Sequence, residues 1–138
     1  MTDTRGQIVT FYSFKGGVGR TFLLANLGAT LASWGKRVLL VDWDLEAPGL
    51  HAYFPAIKPE TGLLQLIQTW NGSRQLPWRD HTMQVAIGAE HQLDLLAAGH
   101  RGHAYAKGVQ DLDWEVMYRE GLGDALEVLR SEWRKAYD

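Results

Sequence analysis

A glycine-rich segment between two apolar runs constrains this chain more than any other feature. It covers residues 15–21 and reads KGGVGRT. The run before it, residues 7–14 (QIVTFYSF), is rich in β-branched and aromatic residues and predicts a β-strand. The run after it, residues 21–34, repeats apolar residues at helical spacing and predicts a helix that ends at Gly35. A strand, a tight turn and a helix in this order predict an α/β fold.

The following segments continue the alternation of strand and helix. Residues 38–41 (VLLV) form a continuous apolar run, which is typical of a strand covered by helices on both faces. They complete a βαβ unit and favour a mostly parallel sheet flanked by helices. The remaining predicted elements are a helical turn within 48–54, a helix over 61–70, strands over 82–87 and 92–97 around Gly88, a glycine-rich loop from Gly99 to Gly108, and a helix in the second half of 111–133.

Composition excludes several classes of function. The chain has 138 residues, of which 46% are hydrophobic and 22% charged, as in an ordinary globular domain. Its net charge of -2 gives no signal for nucleic-acid binding. It has no cysteine, so disulfides and thiolate metal sites are excluded. No run approaches the ~20 apolar residues that span a bilayer, and no signal peptide is evident, so a cytoplasmic protein is expected.

The residue types in the glycine-rich segment suit the binding of phosphate. Glycines allow backbone N–H groups to approach phosphate oxygens closely, and the start of the following helix adds unpaired N–H groups and a positive dipole end. A cation just before the helix contacts the β- and γ-phosphates, and a neighbouring hydroxyl binds magnesium. Arg20 and Thr21 occupy these two positions.

The segment departs from the usual pattern G-x-x-x-x-G-K-[ST] at two positions. Phe14 stands in place of the first glycine, and Arg20 stands in place of the lysine. An alternative is that the segment is only a tight connection between a strand and a helix. The combination of three glycines, two flanking cations, Thr21 and the nearby Asp42-Trp43-Asp44 argues against that alternative.

The segment K-G-G-x-G-[KR]-T resembles the deviant phosphate loop of the ParA/MinD family of ATPases, which carries an additional lysine before the paired glycines. The resemblance extends to Asp42-Trp43-Asp44 after the second predicted strand. Residues 45–50 (LEAPGL) look like the first switch region of that family, and residues 93–99 (LDLLAAG) look like its next strand. The resemblance implies a P-loop NTPase fold with ATP and Mg²⁺ as cofactors.

The resemblance also implies roles for individual residues. Lys15 would be a catalytic residue that reaches across a homodimer interface to the nucleotide of the partner. Asp44 would be the second catalytic residue and orient the attacking water, while Thr21 and Asp42 would hold the magnesium ion. The nucleotide would be bound by Lys15, Gly16, Gly17, Val18, Gly19, Arg20, Thr21 and Phe22. Without the resemblance, Lys15 could be a solvated surface residue, and the two aspartates could cap a loop.

The resemblance further implies that the chain is one part of a larger unit. The family needs another buried strand that ends in an aspartate, and its adenine-binding residues lie late in the chain. Residues 1–138 are therefore expected to be the N-terminal portion of a single P-loop ATPase domain whose C-terminal strands are missing.

The implied function is an ATPase that acts as a nucleotide-dependent dimerisation switch, with a protein partner of unknown identity. Two alternatives stay open. One is a nucleotide-binding module without hydrolysis, because Arg20 alters the geometry of the loop. The other is a phosphotransferase similar to the bacterial tyrosine kinases, which share this loop architecture.

Overall fold

A computed structural model describes residues 5–100 and 102–138. The described chain contains five α-helices, three β-strands and two short 3-10 helices. The α-helices are α1 (Arg20–Ser33), α2 (Leu63–Ser73), α3 (Tyr105–Gln110), α4 (Trp114–Arg119) and α5 (Leu122–Ala136). The strands are β1 (Leu39–Val41), β2 (Met83–Ile87) and β3 (His91–Leu96), and the 3-10 helices are Leu50–Tyr53 and Trp78–His81.

The three strands form one mixed sheet in the order β1-β3-β2. Strand β1 is parallel to β3, with Leu39 opposite Asp94, and β2 is antiparallel to β3. The turn between β2 and β3 contains Gly88 at a φ of 64°, a conformation that glycine adopts without strain. The α/β fold class is confirmed, as are the strands predicted over 38–41, 82–87 and 92–97.

The strand predicted over residues 7–14 is wrong, because the structure assigns no strand there. A strand requires a hydrogen-bonded neighbour. Among the described residues, no backbone-to-backbone hydrogen bond involves residues 8–14. Instead a cleft of about 1000 Å³ separates residues 7–12 from residues 38–44. Asp138 closes one end of this cleft, where its N–H donates to Arg37 O and its carbonyl accepts from Gln7 N, each at 2.9 Å.

Helix α1 is fixed against the sheet by small residues. Its predicted end is confirmed, because Gly35 follows it at a φ of 80° and the Lys36 N–H donates to Leu31 O at 3.1 Å. A Cβ atom at Gly28 would lie 2.6 Å from a methyl group of Leu40, so a larger residue would require the Leu40 side chain to move. The first turn of α1 therefore lies at the edge of the sheet where β1 ends.

Most of the remaining core lies between α2 and α5. The buried face of α2 confirms the amphipathic helix predicted there; this cluster contains Leu63, Leu64, Leu66, Ile67, Trp70, Met117, Leu122, Leu129 and Trp133. Helix α3 was missed, because Gly99, Gly102 and Gly108 indicated a loop. Gly108 instead marks close packing, since a Cβ there would lie 3.0 Å from Gln68 Nε2 and 3.2 Å from a Leu64 methyl group.

His81 makes the stability of this fold sensitive to acid. Its ring Nδ1 lies 2.5 Å from the Thr61 hydroxyl, and burial lowers its pKa below 6.5, although the charge of Asp80 opposes this shift. The unfolded chain then binds a proton more readily than the folded one, so the free energy of unfolding falls as the pH drops below 6.5. We expect the free energy of unfolding, measured by urea titration, to fall less between about pH 7.5 and about pH 5 in His81→Gln than in the wild type. His91→Gln, at an exposed position, is the matched control, and an equal effect of both substitutions would contradict the assignment.

Candidate functional site

The glycine-rich loop ends in an uncapped helix start. Gly17 and Gly19 have φ angles of 71° and 83°, so the loop uses the backbone freedom that glycine supplies. Gly19 is the N-cap residue of α1, no side chain caps the helix, and its first turn contains no acidic residue. The first helical hydrogen bond runs from Leu23 N to Gly19 O at 2.9 Å. The preceding N–H groups of the helix are therefore available to an anion.

Arg20 lies at the first position of α1 and is already engaged. Its Nη2 donates to Asp44 Oδ2 at 2.8 Å, and its Nη1 donates to the Ser13 hydroxyl at 3.2 Å. The Ser13 hydroxyl in turn donates to the Lys15 carbonyl at 3.0 Å. Ser13 carries no motif that would predict this role, because its partner lies seven residues further along the chain.

Asp42 is the one buried polar or charged residue among those described, with 6% of its surface exposed. Its Oδ1 accepts from Asp44 N at 3.2 Å, while its Oδ2 accepts from Gly49 N at 3.2 Å and from Leu50 N at 3.1 Å. Burial raises the pKa of this carboxyl above its usual 3.8, the three N–H donors oppose the rise, and the charge of Asp44 adds to it. Asp42 therefore organises the loop after β1, as the loop-capping alternative expected.

Asp44 is half-buried beside Arg20. Its Oδ1 accepts from Ala47 N at 3.0 Å, and its Oδ2 accepts from the guanidinium. Arg20, Thr21, Asp42 and Asp44 all line the cleft beside β1, so the structure brings these four predicted site residues together.

The other predicted site residues do not line this cleft. The Lys15 side chain is exposed, and no described hydrogen bond or ion pair involves its ammonium. Gly16, Gly17 and Val18 form the exposed loop. Phe22 is 58% exposed and contacts the ring of Tyr53 edge-on, with 6.2 Å between ring centroids. The site therefore has two parts: the side chains that line the cleft, and the backbone of the exposed loop.

The side chains at the cleft fit a magnesium ion that is bound together with phosphate. Within the described part of the chain, no cluster of three or more His, Cys, Asp or Glu residues could hold a metal. Thr21 and Asp42 do supply hard oxygen ligands at the cleft, and one of the ~4 acceptor positions of the Asp42 carboxylate stays open. Magnesium needs only one or two protein ligands where phosphates and water supply the rest.

An uncapped helix start after a glycine-rich loop, with a cation and two carboxylates at the neighbouring strand end, defines a phosphate-binding domain of the P-loop type. Residues 9–130 match the profile of the CobQ/CobB/MinD/ParA nucleotide binding domain. The chain belongs to this family, and the resemblance to ParA and MinD proteins is confirmed.

The relatives of this chain include proteins described as tyrosine kinases and an uncharacterised ATP-binding protein. The chain is 43% identical over 99 residues to EpsB of Ralstonia nicotianae, a proposed tyrosine-protein kinase. This match covers 72% of this chain and 12% of EpsB. It is 31% identical over 119 residues to an uncharacterised ATP-binding protein of Methanocaldococcus jannaschii, covering 86% of this chain and 40% of that protein. The solved tyrosine kinase domain of BceF is 30% identical, with a TM-score of 0.46, and the match covers 80% of this chain and 39% of that one.

The chain thus spans less than half the length of each of these relatives. Across residues 5–100 and 102–138, no helix is both long and apolar enough to cross a membrane.

Proposed function

We propose that this chain is the phosphate- and magnesium-binding part of a cytoplasmic ATPase whose homodimerisation depends on the bound nucleotide. The observation that carries this proposal is the uncapped start of α1 in the same cleft as Asp42 and Asp44. N–H groups at the helix start would bind the β- and γ-phosphates of ATP, with Arg20 adding its charge. Thr21 would bind the magnesium ion directly, and Asp42 would hold its hydration shell.

In this proposal Asp44 orients the water that attacks the γ-phosphorus. Its position two residues beyond Asp42 places it at the end of β1, beside the start of α1. The attacking oxygen forms a bond to phosphorus while the bond to the bridging oxygen of ADP breaks, so ATP and water yield ADP and phosphate. A dimer would bring the exposed Lys15 of one protomer to the nucleotide of the other, which accounts for the absence of a described partner for its ammonium in this chain.

Turnover of ATP tests the role of Asp44. We expect Asp44→Ala to lower kcat by about 10²-fold or more, because the water loses its orienting acceptor. Arg20→Lys is expected to retain turnover, since it introduces the lysine that the usual loop pattern has at this position. Phosphate release is measured with both variants and with Glu46→Ala, which removes an exposed carboxylate from the same loop. Turnover that Asp44→Ala leaves intact would refute the assigned role.

A phosphotransferase is the second candidate, because EpsB, a proposed tyrosine-protein kinase, matches 72% of this chain. The same loop would then bind ATP, and the γ-phosphoryl group would pass to a tyrosine hydroxyl instead of water. Detection of phosphotyrosine on the protein after incubation with ATP and magnesium favours this candidate. Release of free phosphate without phosphotyrosine favours the ATPase, and ATP binding without either product favours a module that does not hydrolyse.

A further inference from the structure

The cation of the phosphate loop and the carboxylate proposed to orient water are bound to each other. Arg20 Nη2 lies 2.8 Å from Asp44 Oδ2, and the two side chains are 29% and 36% exposed. The second arm of the guanidinium is directed to Ser13, with its hydroxyl at 3.2 Å and its carbonyl at 3.5 Å. A planar guanidinium can hold both partners at once because its donors are arranged in a rigid fork.

These contacts compete with the binding of phosphate. The Nη2 donor that Asp44 occupies is one that a phosphate oxygen would use, and the Asp44 charge repels an approaching anion. The other Asp44 oxygen accepts from Ala47 N at 3.0 Å, so the pair also connects α1 to the loop that follows β1. Transfer of Arg20 from carboxylate to phosphate would therefore free one oxygen of Asp44 and remove a restraint on that loop.

We propose that the Arg20–Asp44 ion pair is an autoinhibitory latch. It keeps the loop cation occupied and Asp44 away from its water until the phosphates of a nucleotide displace the carboxylate. The latch thereby couples the binding of phosphate to the release of Asp44. This inference rests on the proposed function, since it assumes that the loop binds a nucleoside diphosphate or triphosphate.

The latch predicts that loss of the Asp44 charge strengthens the binding of nucleotide. We expect Asp44→Asn to raise the affinity of the full polypeptide for ADP by about two- to fivefold, the range that a half-exposed ion pair supports. The measurement is calorimetric titration with ADP in magnesium-free buffer, so that metal ligation does not contribute. Glu46→Gln is the matched control, because Glu46 is exposed, lies in the same loop and makes no described contact with Arg20.

A double-mutant cycle assigns the effect to the pair. In an Arg20→Ala background, Asp44→Asn is expected to change the affinity no more than Glu46→Gln does. The latch is overturned if the wild-type chain binds ADP but, with Arg20 intact, Asp44→Asn raises the affinity for ADP no more than Glu46→Gln does. Absence of ADP binding by the folded wild-type chain and by every variant would overturn the proposed function itself.

Discussion

Lys15→Ala is expected to reduce ATP turnover by about 10³-fold or more while leaving the affinity for ADP nearly unchanged, as for a cation supplied in trans. The Lys15 side chain is exposed, and its ammonium takes part in no described hydrogen bond or ion pair. In the proposed function, binding within the same chain would rest on Arg20 and on the N–H groups at the start of α1. Loss of Lys15 should therefore affect kcat, measured at saturating ATP, far more than it affects binding.

Mixing two inactive variants tests whether Lys15 acts on the nucleotide of the partner. In a heterodimer of Lys15→Ala and Asp44→Ala, one site combines the intact Asp44 of its own protomer with the intact Lys15 of the other. Random pairing makes half of the dimers heterodimers, each with one such site, so about a quarter of the wild-type turnover should return. No recovery on mixing would place the action of Lys15 within its own chain.

Lys58→Ala is the control for the general loss of positive charge, because Lys58 is another exposed lysine that makes no described contact with the site. Its turnover should match that of the wild-type protein. If Lys15→Ala also matches the wild type, Lys15 is a solvated surface residue and the dimeric mechanism fails at this position.

The elements that could be predicted from the sequence are those whose signals are local. The apolar spacing over residues 21–34 and the glycine that follows them are sufficient to define α1, since the periodicity and the stop both lie within one segment. The hairpin of β2 and β3 is defined in the same way, by two apolar runs around Gly88. The phosphate loop was also predictable, because its glycines, its cations and Thr21 are contiguous.

The failures have non-local causes. Residues 7–14 have the composition of a strand, but composition does not supply a neighbouring strand, and a cleft lies beside residues 7–12. The approach of α3 to α2 explains Gly108, which suggested a loop only when considered alone. The pairing of Arg20 with Ser13 and Asp44 joins three segments and has no motif. The sequence therefore indicated Arg20 and Asp44 as candidates, but neither Ser13 nor the contacts that join the three residues.

Asp42→Ala is expected to lower the free energy of unfolding by about 2–4 kcal/mol, since three backbone N–H donors lose their acceptor. Two of these donors belong to Gly49 and Leu50, and Leu50 is only 1% exposed, so water cannot readily replace the carboxylate. Urea unfolding followed by tryptophan fluorescence measures the loss. Asp111→Ala is the control, because the exposed pair of Asp111 with Lys107 should contribute less than about 1 kcal/mol.

The dependence of stability on pH shows which influence on the pKa of Asp42 is larger, its burial or its three N–H donors. Because burial raises its folded pKa above 3.8, its ionisation destabilises the folded chain as the pH rises through the window between 3.8 and that raised pKa. The amide that Asp42→Asn introduces is neutral throughout, so the stability advantage of the wild type over this variant should narrow as the pH rises. The titration of groups that do not interact with Asp42 cancels in the difference. An advantage that widens instead would show that the three N–H donors outweigh burial. The carboxylate charge would then be stable in the loop without a bound cation.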